Sequence, residues 1–319
     1  MKNVLQKFLL SRFLKSAVFL IALFVLPCVY LACKNYNDTS NGEETIIKGK
    51  ATILVDETLK SIVEAQIMVF ESQYPAKIKQ INQDETSIVN DLIAQKQSIA
   101  VLSRKLTEKE LATFKNNKIQ PRITQFGTDA VVFICNRSAK DTILTVTDVF
   151  DFMKNRPSKI KNLTFESANS STQSFLGQLA GVTTEKTKSI FSVNGYVEVL
   201  KYVEKNATSI GVIGLNEIVD PTEDVGALLK KVRVIAIKNV NVNSSSQEAY
   251  KPSQDNIGGG LYAFARPIYM LNFQGRTGLG MGFASFVSGE IGQRIVLKSG
   301  LLPVRMPSRI INTRKGVLK

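Results

Sequence analysis

Short apolar runs alternate with amphipathic segments along the chain from Lys50 onward. Such alternation is typical of a parallel or mixed sheet flanked by helices. The pattern predicts strands at residues 51–55, 77–81, 98–102, 164–167, 210–214 and 232–237, and a long extended segment at 123–136. It predicts helices at residues 59–70, 88–95, 148–153 and 172–180, and another that begins at Thr107. We therefore expect an α/β fold.

The first 33 residues have a different pattern. Four basic residues precede the apolar run 17–26, which leads into Tyr30-Leu-Ala-Cys33. A basic start, an apolar core and a small residue before the break predict a cleaved export signal. Residues 1–33 are then a signal peptide with Cys33 as the lipid-attachment cysteine, and the mature protein is anchored to a membrane outside the cytoplasm, in the periplasm or its equivalent.

A retained helix is the alternative, because residues 16–33 are almost long enough to cross a hydrocarbon core, which takes about 20 residues. Both readings tether the following domain to a membrane. Residues 34–47 are rich in Asn, Ser, Thr and Glu and lack an apolar period. They predict a flexible leash.

Composition narrows the function classes. The chain has 319 residues, 44% of them hydrophobic, which is enough for one large or two medium domains. The formal charge of +14 suits anionic ligands, although surface lysines that only confer solubility explain it equally well.

The chain has three cysteines and no histidine. If cleavage removes Cys28 and lipid takes Cys33, only Cys135 remains, inside the apolar run 130–135, so no intramolecular disulfide forms. The absence of histidine excludes catalytic triads that contain histidine, acid–base catalysis by histidine, and zinc sites built from histidine. A carboxylate-only site stays open, but no spacing argues for one. We expect no enzyme, no metal and no cofactor.

Two predicted helix starts could bind an anion through free backbone N–H groups and neighbouring hydroxyls. One is at Thr58, after the first strand, and the other is at residues 169–172. Ordinary helix capping by Ser and Thr is the alternative at each of them. Either signal alone is weak.

The order of the motifs carries a resemblance. The motifs are Phe-Glu-Ser-Gln-Tyr-Pro at 70–75, Ser-Ile-Ala-Val-Leu-Ser-Arg at 98–104, Gly-Thr-Asp-Ala-Val-Val-Phe-Ile-Cys-Asn at 127–136, Ser-Ser-Thr at 170–172, Ile-Gly-Val-Ile-Gly at 210–214, Gly-Phe-Ala-Ser-Phe at 282–286, Gly-Gln at 292–293 and Gly-Leu-Leu-Pro at 300–303. Over residues 48–302 the chain resembles the phosphate-binding class of ABC-importer substrate-binding proteins.

That resemblance implies the two-lobed periplasmic-binding-protein fold of type II. Each lobe is a mixed sheet flanked by helices, and two crossing strands join the lobes. The first lobe would comprise residues 48–132 and 257–319, and the second would comprise residues 133–256. A cleft between them would hold an inorganic oxyanion, most simply phosphate, and deliver it to an ABC permease. Nucleic acid is not an implied partner.

The resemblance also implies site residues. Thr58 would supply a hydroxyl in the first loop, where Asp56 and Glu57 replace the small residues of the family and would repel a phosphate dianion. In the second loop Ser103 is followed by Arg104, where the family has an aspartate. In the third segment Ser170, Ser171 and Thr172 keep the hydroxyls, but Glu166 replaces an arginine.

The acid and the arginine have therefore exchanged places relative to the family. Arg104 would then clamp the oxyanion bidentately. Alternatively Arg104 pairs with Glu166 across the cleft or faces solvent. Asp129 would orient Arg104 or a loop amide, with a solvent-facing strand end as the alternative.

Three further features are expected to be structural. The glycines of 258–260 predict a flexible crossing or turn. The resemblance implies that residues 275–282 lead into the closing helix and that residues 266–269 form a strand. A rival function is a non-transport envelope lipoprotein on the same fold, acting as a scaffold, sensor or accessory subunit with a degenerate cleft.

Overall fold

The computed structural model describes residues 44–183, 187–219, 221–239 and 248–307. The predicted signal peptide, Cys33 and residues 34–43 of the predicted leash lie outside these ranges. None of the helices in the described ranges combines the length and the apolar composition that crossing a bilayer requires.

The described residues form a mixed α/β fold, which confirms the predicted class. The strands are β1 (Gly49–Asp56), β2 (Ala76–Gln83), β3 (Ile99–Leu102), β4 (Arg122–Asn136), β5 (Ile143–Thr145), β6 (Leu163–Phe165), β7 (Ile190–Ser192), β8 (Ile210–Gly214), β9 (Val232–Val234), β10 (Ala236–Lys238), β11 (Ala249–Tyr250), β12 (Ala265–Asn272) and β13 (Leu302–Pro303). The helices are α1 (Lys60–Gln73), α2 (Glu85–Ile93), α3 (Glu108–Asn116), α4 (Val146–Met153), α5 (Ser171–Ala180), α6 (Tyr196–Lys205), α7 (Glu223–Leu229), α8 (Gln254–Gly258), α9 (Leu279–Ser288) and α10 (Glu290–Lys298). Single 3₁₀ turns follow β1, at Glu57–Leu59, and β8, at Leu215–Glu217.

The main sheet has the strand order β2-β1-β3-β12-β4-β8-β6-β7, with β9 and β13 also paired to β4. In the first strand group, β1 is parallel to β2 and β3, and β12 is antiparallel to β3 and β4. In the second strand group, β6 is parallel to β7 and β8. Strands β5, β10 and β11 form a separate small sheet.

Strand β4 connects the two strand groups. Its first part pairs with β12 up to Ala130, and its second part, from Val131 to Cys135, pairs with β8. Its residues Ala130 to Cys135 are buried, as are Val55 on one side and Leu163 on the other, and all belong to one apolar cluster. This long strand fixes how the ends of the flanking strands face one another. Cys135 itself is buried and unbridged.

Most of the elements that the sequence predicts are found near their expected positions, but one of them is divided between two sheets, and helices α6 and α7 were not predicted. Residues 232–237, predicted as a single strand, form β9 and β10, which belong to different sheets. Strand β9 pairs with β4, and at Ile235 the backbone N–H still bonds the Phe133 carbonyl at 2.8 Å. The next residue, Ala236, turns to the Thr142 carbonyl at 2.9 Å and begins the pairing with β5. An apolar run cannot reveal such a change of partner.

Residues 44–47, which the sequence assigns to the leash, contact helix α9. The Glu44 carboxylate accepts hydrogen bonds from the Leu279 backbone N–H at 2.7 Å and from the Arg276 guanidinium at 2.7 Å. Gly282 permits this approach, because a Cβ there would lie 1.5 Å from the Ile46 carbonyl oxygen. The start of the described chain is therefore held at the N-terminal end of helix α9.

Candidate functional site

Polar side chains gather where strands of both groups end. Thr58 follows β1, Ser103 follows β3, and Ser171 opens helix α5 after β6. The carboxyl ends of parallel strands meet at one edge of a sheet, where open α/β folds place their ligand sites. All three hydroxyls are buried, and those of Thr58 and Ser171 lie 3.0 Å apart although they belong to different strand groups.

Arg266 lies at the centre of this cluster. Its guanidinium, fully buried, donates from Nη2 to Thr58 Oγ1 at 2.9 Å and from Nη1 to Ser171 Oγ at 2.9 Å. A longer contact of 3.5 Å joins Nη1 to Ser103 Oγ. The sequence predicted all three hydroxyls as ligand groups, and the structure brings them together around a side chain that the sequence treated as structural.

Asp129 is the counter-ion of Arg266. Its Oδ2 accepts hydrogen bonds from Nε at 3.1 Å and Nη2 at 2.9 Å, and neither side chain is exposed. Burial acts to lower the pKa of Arg266, but Asp129 and the nearby Asp56 outweigh it and leave that pKa raised. The guanidinium therefore stays charged, and the five N–H donors it carries all point at acceptors.

Glu166 collects the remaining predicted hydroxyls. Its carboxyl group accepts hydrogen bonds from Ser170 Oγ at 2.6 Å and from Thr172 Oγ1 at 3.1 Å. Ser170 also caps helix α5, since its Oγ accepts the Thr172 backbone N–H at 3.1 Å. Burial raises the pKa of Glu166 to about 7. Ser170 and Thr172 are thus placed beside the cluster but directed at a carboxyl group.

The 3₁₀ turn after β8 contributes two residues that the sequence did not suggest. The Asn216 backbone N–H donates to Asp129 Oδ1 at 3.3 Å, and its side-chain Nδ2 donates to the Thr58 carbonyl at 2.7 Å. Ser61 of α1 donates to Glu217 Oε2 at 3.0 Å, and burial raises the pKa of Glu217 to about 8. These bonds join the second strand group to the first.

Glycine is required just before that turn. A Cβ at Gly214 would lie 2.9 Å from Asn216 Nδ2, 3.2 Å from the Thr58 carbonyl and 3.3 Å from Asp129 Oδ2. The backbone of β8 can therefore approach the polar cluster only without a side chain at this position.

Arg104, predicted as the anion clamp, has other partners. Its Nε donates to Glu85 at 2.7 Å, and its two terminal nitrogens bond Glu110 at 2.9 and 3.0 Å. Neither Glu166 nor Asp129 is among these partners, so the structure does not form the alternative pair between Arg104 and Glu166. The role of Arg104 as a ligand group stays a prediction, and Arg266 is the cation that lies among the predicted hydroxyls.

A signal for Arg266 does exist in the sequence. Asp129 and Arg266 each stand beside an apolar strand segment, and opposite charges in such positions favour each other as neighbours. Only the pairing of β4 with β12 reveals that they meet, because 137 positions separate them. In the described ranges, no group of His, Cys, Asp and Glu side chains has a geometry that could hold a metal ion.

Comparisons with known proteins agree with the fold. A family model described as a PBP superfamily domain matches residues 40–290. Many solved structures are similar, including the following three. A putative phosphate ABC transporter substrate-binding protein from Clostridium perfringens, solved with bound phosphate, has a TM-score of 0.66 and 17% identity, over 81% of this chain and 100% of that one. An ABC-type phosphate transport receptor from Vibrio cholerae has a TM-score of 0.60 and 19% identity, over 80% and 100%. A possible phosphate binding protein from Planctomyces limnophilus has a TM-score of 0.56 and 16% identity, over 81% and 94%. A sequence search of curated proteins finds no match.

Proposed function

Because this chain belongs to the PBP superfamily, whose model covers most of its length, we propose that it is an extracytoplasmic solute-binding protein. It binds a solute between its two strand groups, which act as lobes, and delivers it to an ABC permease without chemical turnover. The observation that carries this proposal is the convergence of three buried hydroxyls from separate segments, those of Thr58, Ser103 and Ser171, on the Arg266 guanidinium.

The proposed solute carries an oxyanion group, with phosphate as the simplest case. Guanidinium and hydroxyl groups are the donors that bind such anions best, and arginine can do so bidentately. The similar proteins from Clostridium perfringens and Vibrio cholerae are described as phosphate transport proteins, which supports the same class. In this proposal Arg266 supplies the cation that the sequence assigned to Arg104.

Binding requires the lobes to separate first. The hydroxyls of Thr58 and Ser171 bond each other at 3.0 Å, whereas two donors that share one anion oxygen, each at about 2.7 Å, usually lie about 4 Å apart or more. The described conformation is therefore a closed one in which Arg266 satisfies the groups meant for the ligand. Solute binding would shift an equilibrium between this form and an opened form.

The carboxyl groups around Arg266 make oxyanion binding depend on pH. Glu166, whose pKa is raised to about 7 by burial, is partly neutral at that pH. A protonated carboxyl group donates a hydrogen bond to an anion, whereas an ionised one repels it. We expect the affinity for phosphate to increase as the pH falls from 8 to 6.

Calorimetric titration of the full chain in detergent micelles tests the proposal. The protein would first be stripped of carried-over solute by unfolding and refolding, and then titrated with phosphate, sulfate and arsenate. We expect saturable phosphate binding with a dissociation constant below about 10 μM, roughly −7 kcal/mol, and its loss in Arg266→Lys, which cannot form the planar fork.

We further propose that Cys33 carries a lipid that anchors the protein to a membrane outside the cytoplasm. The basic start, the apolar run and the small residue before Cys33 support this proposal. Metabolic labelling with a palmitate analogue should mark the wild-type protein and leave Cys33→Ser unlabelled. A labelled Cys33→Ser protein would contradict it, and an unlabelled wild type of full mass would favour the retained helix.

One observation favours a second candidate, a non-transport envelope protein with a degenerate cleft. The donors of Arg266 are satisfied within the protein, and the Thr58 and Ser171 hydroxyls close the space between the strand groups. In this case the closed form is permanent and the protein is a scaffold, sensor or accessory subunit. Titrations without heat from any solute, at pH 6 and at pH 8, would select this candidate.

A further inference from the structure

Several acceptor atoms at the end of β1 and in the two 3₁₀ turns have no donor. Asp56 is fully buried, and its Oδ1 accepts the Thr58 backbone N–H at 3.0 Å, but its Oδ2 has no hydrogen-bond partner. Glu57 Oε1 and Asn216 Oδ1 are also buried and unpartnered. A buried acceptor without a donor destabilises the folded protein, because it has lost its hydrogen bonds to water. An inorganic oxyanion brings few donors at neutral pH, because phosphate has only one or two O–H groups and sulfate has none, so it would leave at least one of these acceptors unpartnered.

The charges around the cluster show the same imbalance. Within the part of the chain that the structure describes, the carboxyl groups that interact through their charges with Arg266 or with its acidic neighbours include those of Asp56, Glu57, Glu85, Asp129, Glu166 and Glu217. Asp129 is neutralised by its ion pair with Arg266. The positive charge of Arg104 is held by Glu85 and Glu110. Asp56 is thus left as a buried acid without a cation of its own.

Asp56 and Glu57 lie near a residue of the second strand group, Ser167. They follow each other at the end of β1. The Ser167 hydroxyl, which comes after β6, lies close enough to Glu57 to lower its pKa, against the larger effect of burial, which leaves the pKa raised. This hydroxyl does not reach hydrogen-bond geometry and is itself unpartnered. A donor group placed between these three residues would bond to acceptors of both strand groups.

We propose that the solute is zwitterionic, with its anionic group on Arg266 and a primary ammonium group on Asp56 and Glu57. The inference rests on the proposed solute-binding function and specifies its substrate class. An ammonium group has three donors and no acceptor, which matches the unpartnered oxygens of Asp56, Glu57 and Ser167. The positive end also cancels the repulsion that the acids exert on the anionic end.

Four related probes separate the two ends of the solute. The full chain in detergent micelles would be titrated calorimetrically with O-phosphoethanolamine, methyl phosphate, inorganic phosphate and ethanolamine at pH 7. We expect O-phosphoethanolamine to bind at least about tenfold more tightly than methyl phosphate, which has the anionic group without the amine. Ethanolamine alone should bind more weakly than the zwitterion, because it leaves Arg266 unused.

The variant Asp56→Asn tests the ammonium contact directly. Asparagine keeps Oδ1, which accepts the Thr58 N–H, but replaces the unpartnered oxygen by a donor. We expect it to weaken O-phosphoethanolamine binding and to strengthen methyl phosphate binding, since a repelling charge is removed. Asp224→Asn, on the exposed first turn of α7, changes the net charge equally and serves as the control.

The outcomes distinguish the zwitterionic solute class from the solute-binding function on which it rests. Methyl phosphate or inorganic phosphate binding as tightly as the zwitterion would overturn the zwitterionic class and leave the solute-binding function standing. Ethanolamine binding as tightly as the zwitterion would overturn the anionic contact at Arg266. Absence of heat with all four probes would overturn the proposal together with its premise for these ligand classes. Tighter binding of the zwitterion that Asp56→Asn abolishes and Asp224→Asn retains would support it.

Discussion

Arg266 and Asp129 stand directly opposite each other on the antiparallel strands β12 and β4, and they form a 2.9 Å ion pair with no exposed surface on either side chain. The pair lies where β4 passes from one strand group to the other, so its geometry bears on both. Two buried charges are stable only together, because each has lost its hydration.

Removal of one partner should therefore be costly. We expect Arg266→Ala to lower the free energy of unfolding by about 3 to 5 kcal/mol, since Asp129 would remain as an uncompensated buried charge. Urea denaturation followed by circular dichroism measures the change. The double variant Arg266→Met with Asp129→Leu should lose less than the sum of the two single changes, and strict additivity would contradict a coupled pair.

Stability should decrease with increasing pH because of two buried glutamates. In the folded protein burial raises the pKa of Glu166 to about 7 and that of Glu217 to about 8, from an ordinary value of 4.5. The folded state thus holds protons that the unfolded chain releases. We expect the free energy of unfolding to decrease by roughly a few kcal/mol between about pH 5 and pH 8, and to change little above pH 8.

Glu217→Gln isolates one of the two contributions. Its stability should change less with pH than that of the wild type, and it should be relatively more stable at pH 8. Denaturation curves across the pH range provide the comparison, with the exposed Glu223→Gln as the control. A wild-type curve that increases from pH 5 to pH 8 would be incompatible with buried neutral acids.

Substitutions of Arg104, the predicted anion clamp, and of Arg266, the cation found among the hydroxyls, should affect phosphate binding differently. Arg104→Ala breaks bonds to Glu85 and Glu110, of which Glu85 is 9% exposed, and we expect a loss of about 1 to 3 kcal/mol in stability. In phosphate titrations Arg266→Lys should lose more affinity than Arg104→Lys. The reverse order would restore Arg104 as the anion clamp.

Gly282 should not tolerate a side chain. A Cβ there would lie within 3 Å of three backbone atoms of Ile46, so we expect Gly282→Ala to displace residues 44–47 from α9. Limited proteolysis near residue 44 should become faster. Gly226→Ala, in helix α7, is the matched control, since the nearest atom to its added Cβ is 4.0 Å away. Equal cleavage rates in both variants would show that the segment is not held there.

Local signals were enough to predict much of the fold. The apolar run at 210–214 predicts β8 with its observed limits, and Thr107 predicts the start of α3, where its hydroxyl and Glu110 form a capping box. In such cases one segment contains both the burial pattern and the end signal. Where the structure of a segment depends on its strand partner, as at Ile235, the prediction failed because a local sequence pattern does not identify that partner.

In the candidate site, too, the residues that a local signal marks were predictable and the residues placed by tertiary pairing were not. The hydroxyls of Thr58 and Ser171 were predictable because helix starts after strands favour such residues. Glu217 was not, since a carboxylate in a loop normally predicts exposure, whereas this one is buried and accepts a hydrogen bond from Ser61. Arg266 required knowledge of tertiary pairing. Residue type alone could not distinguish a buried central cation from one on the surface.

The bonds of Glu44 have a mechanical consequence. Any tension applied to the chain before residue 44 first meets the Arg276 and Leu279 bonds, which are separated from Glu44 by more than 200 positions in sequence. The load then enters helix α9 at its beginning and does not act on strand β1 alone. A protein pulled by its amino end would therefore resist the load at the start of helix α9, and strand β1, which ends at Asp56 just before Thr58, would bear less of it.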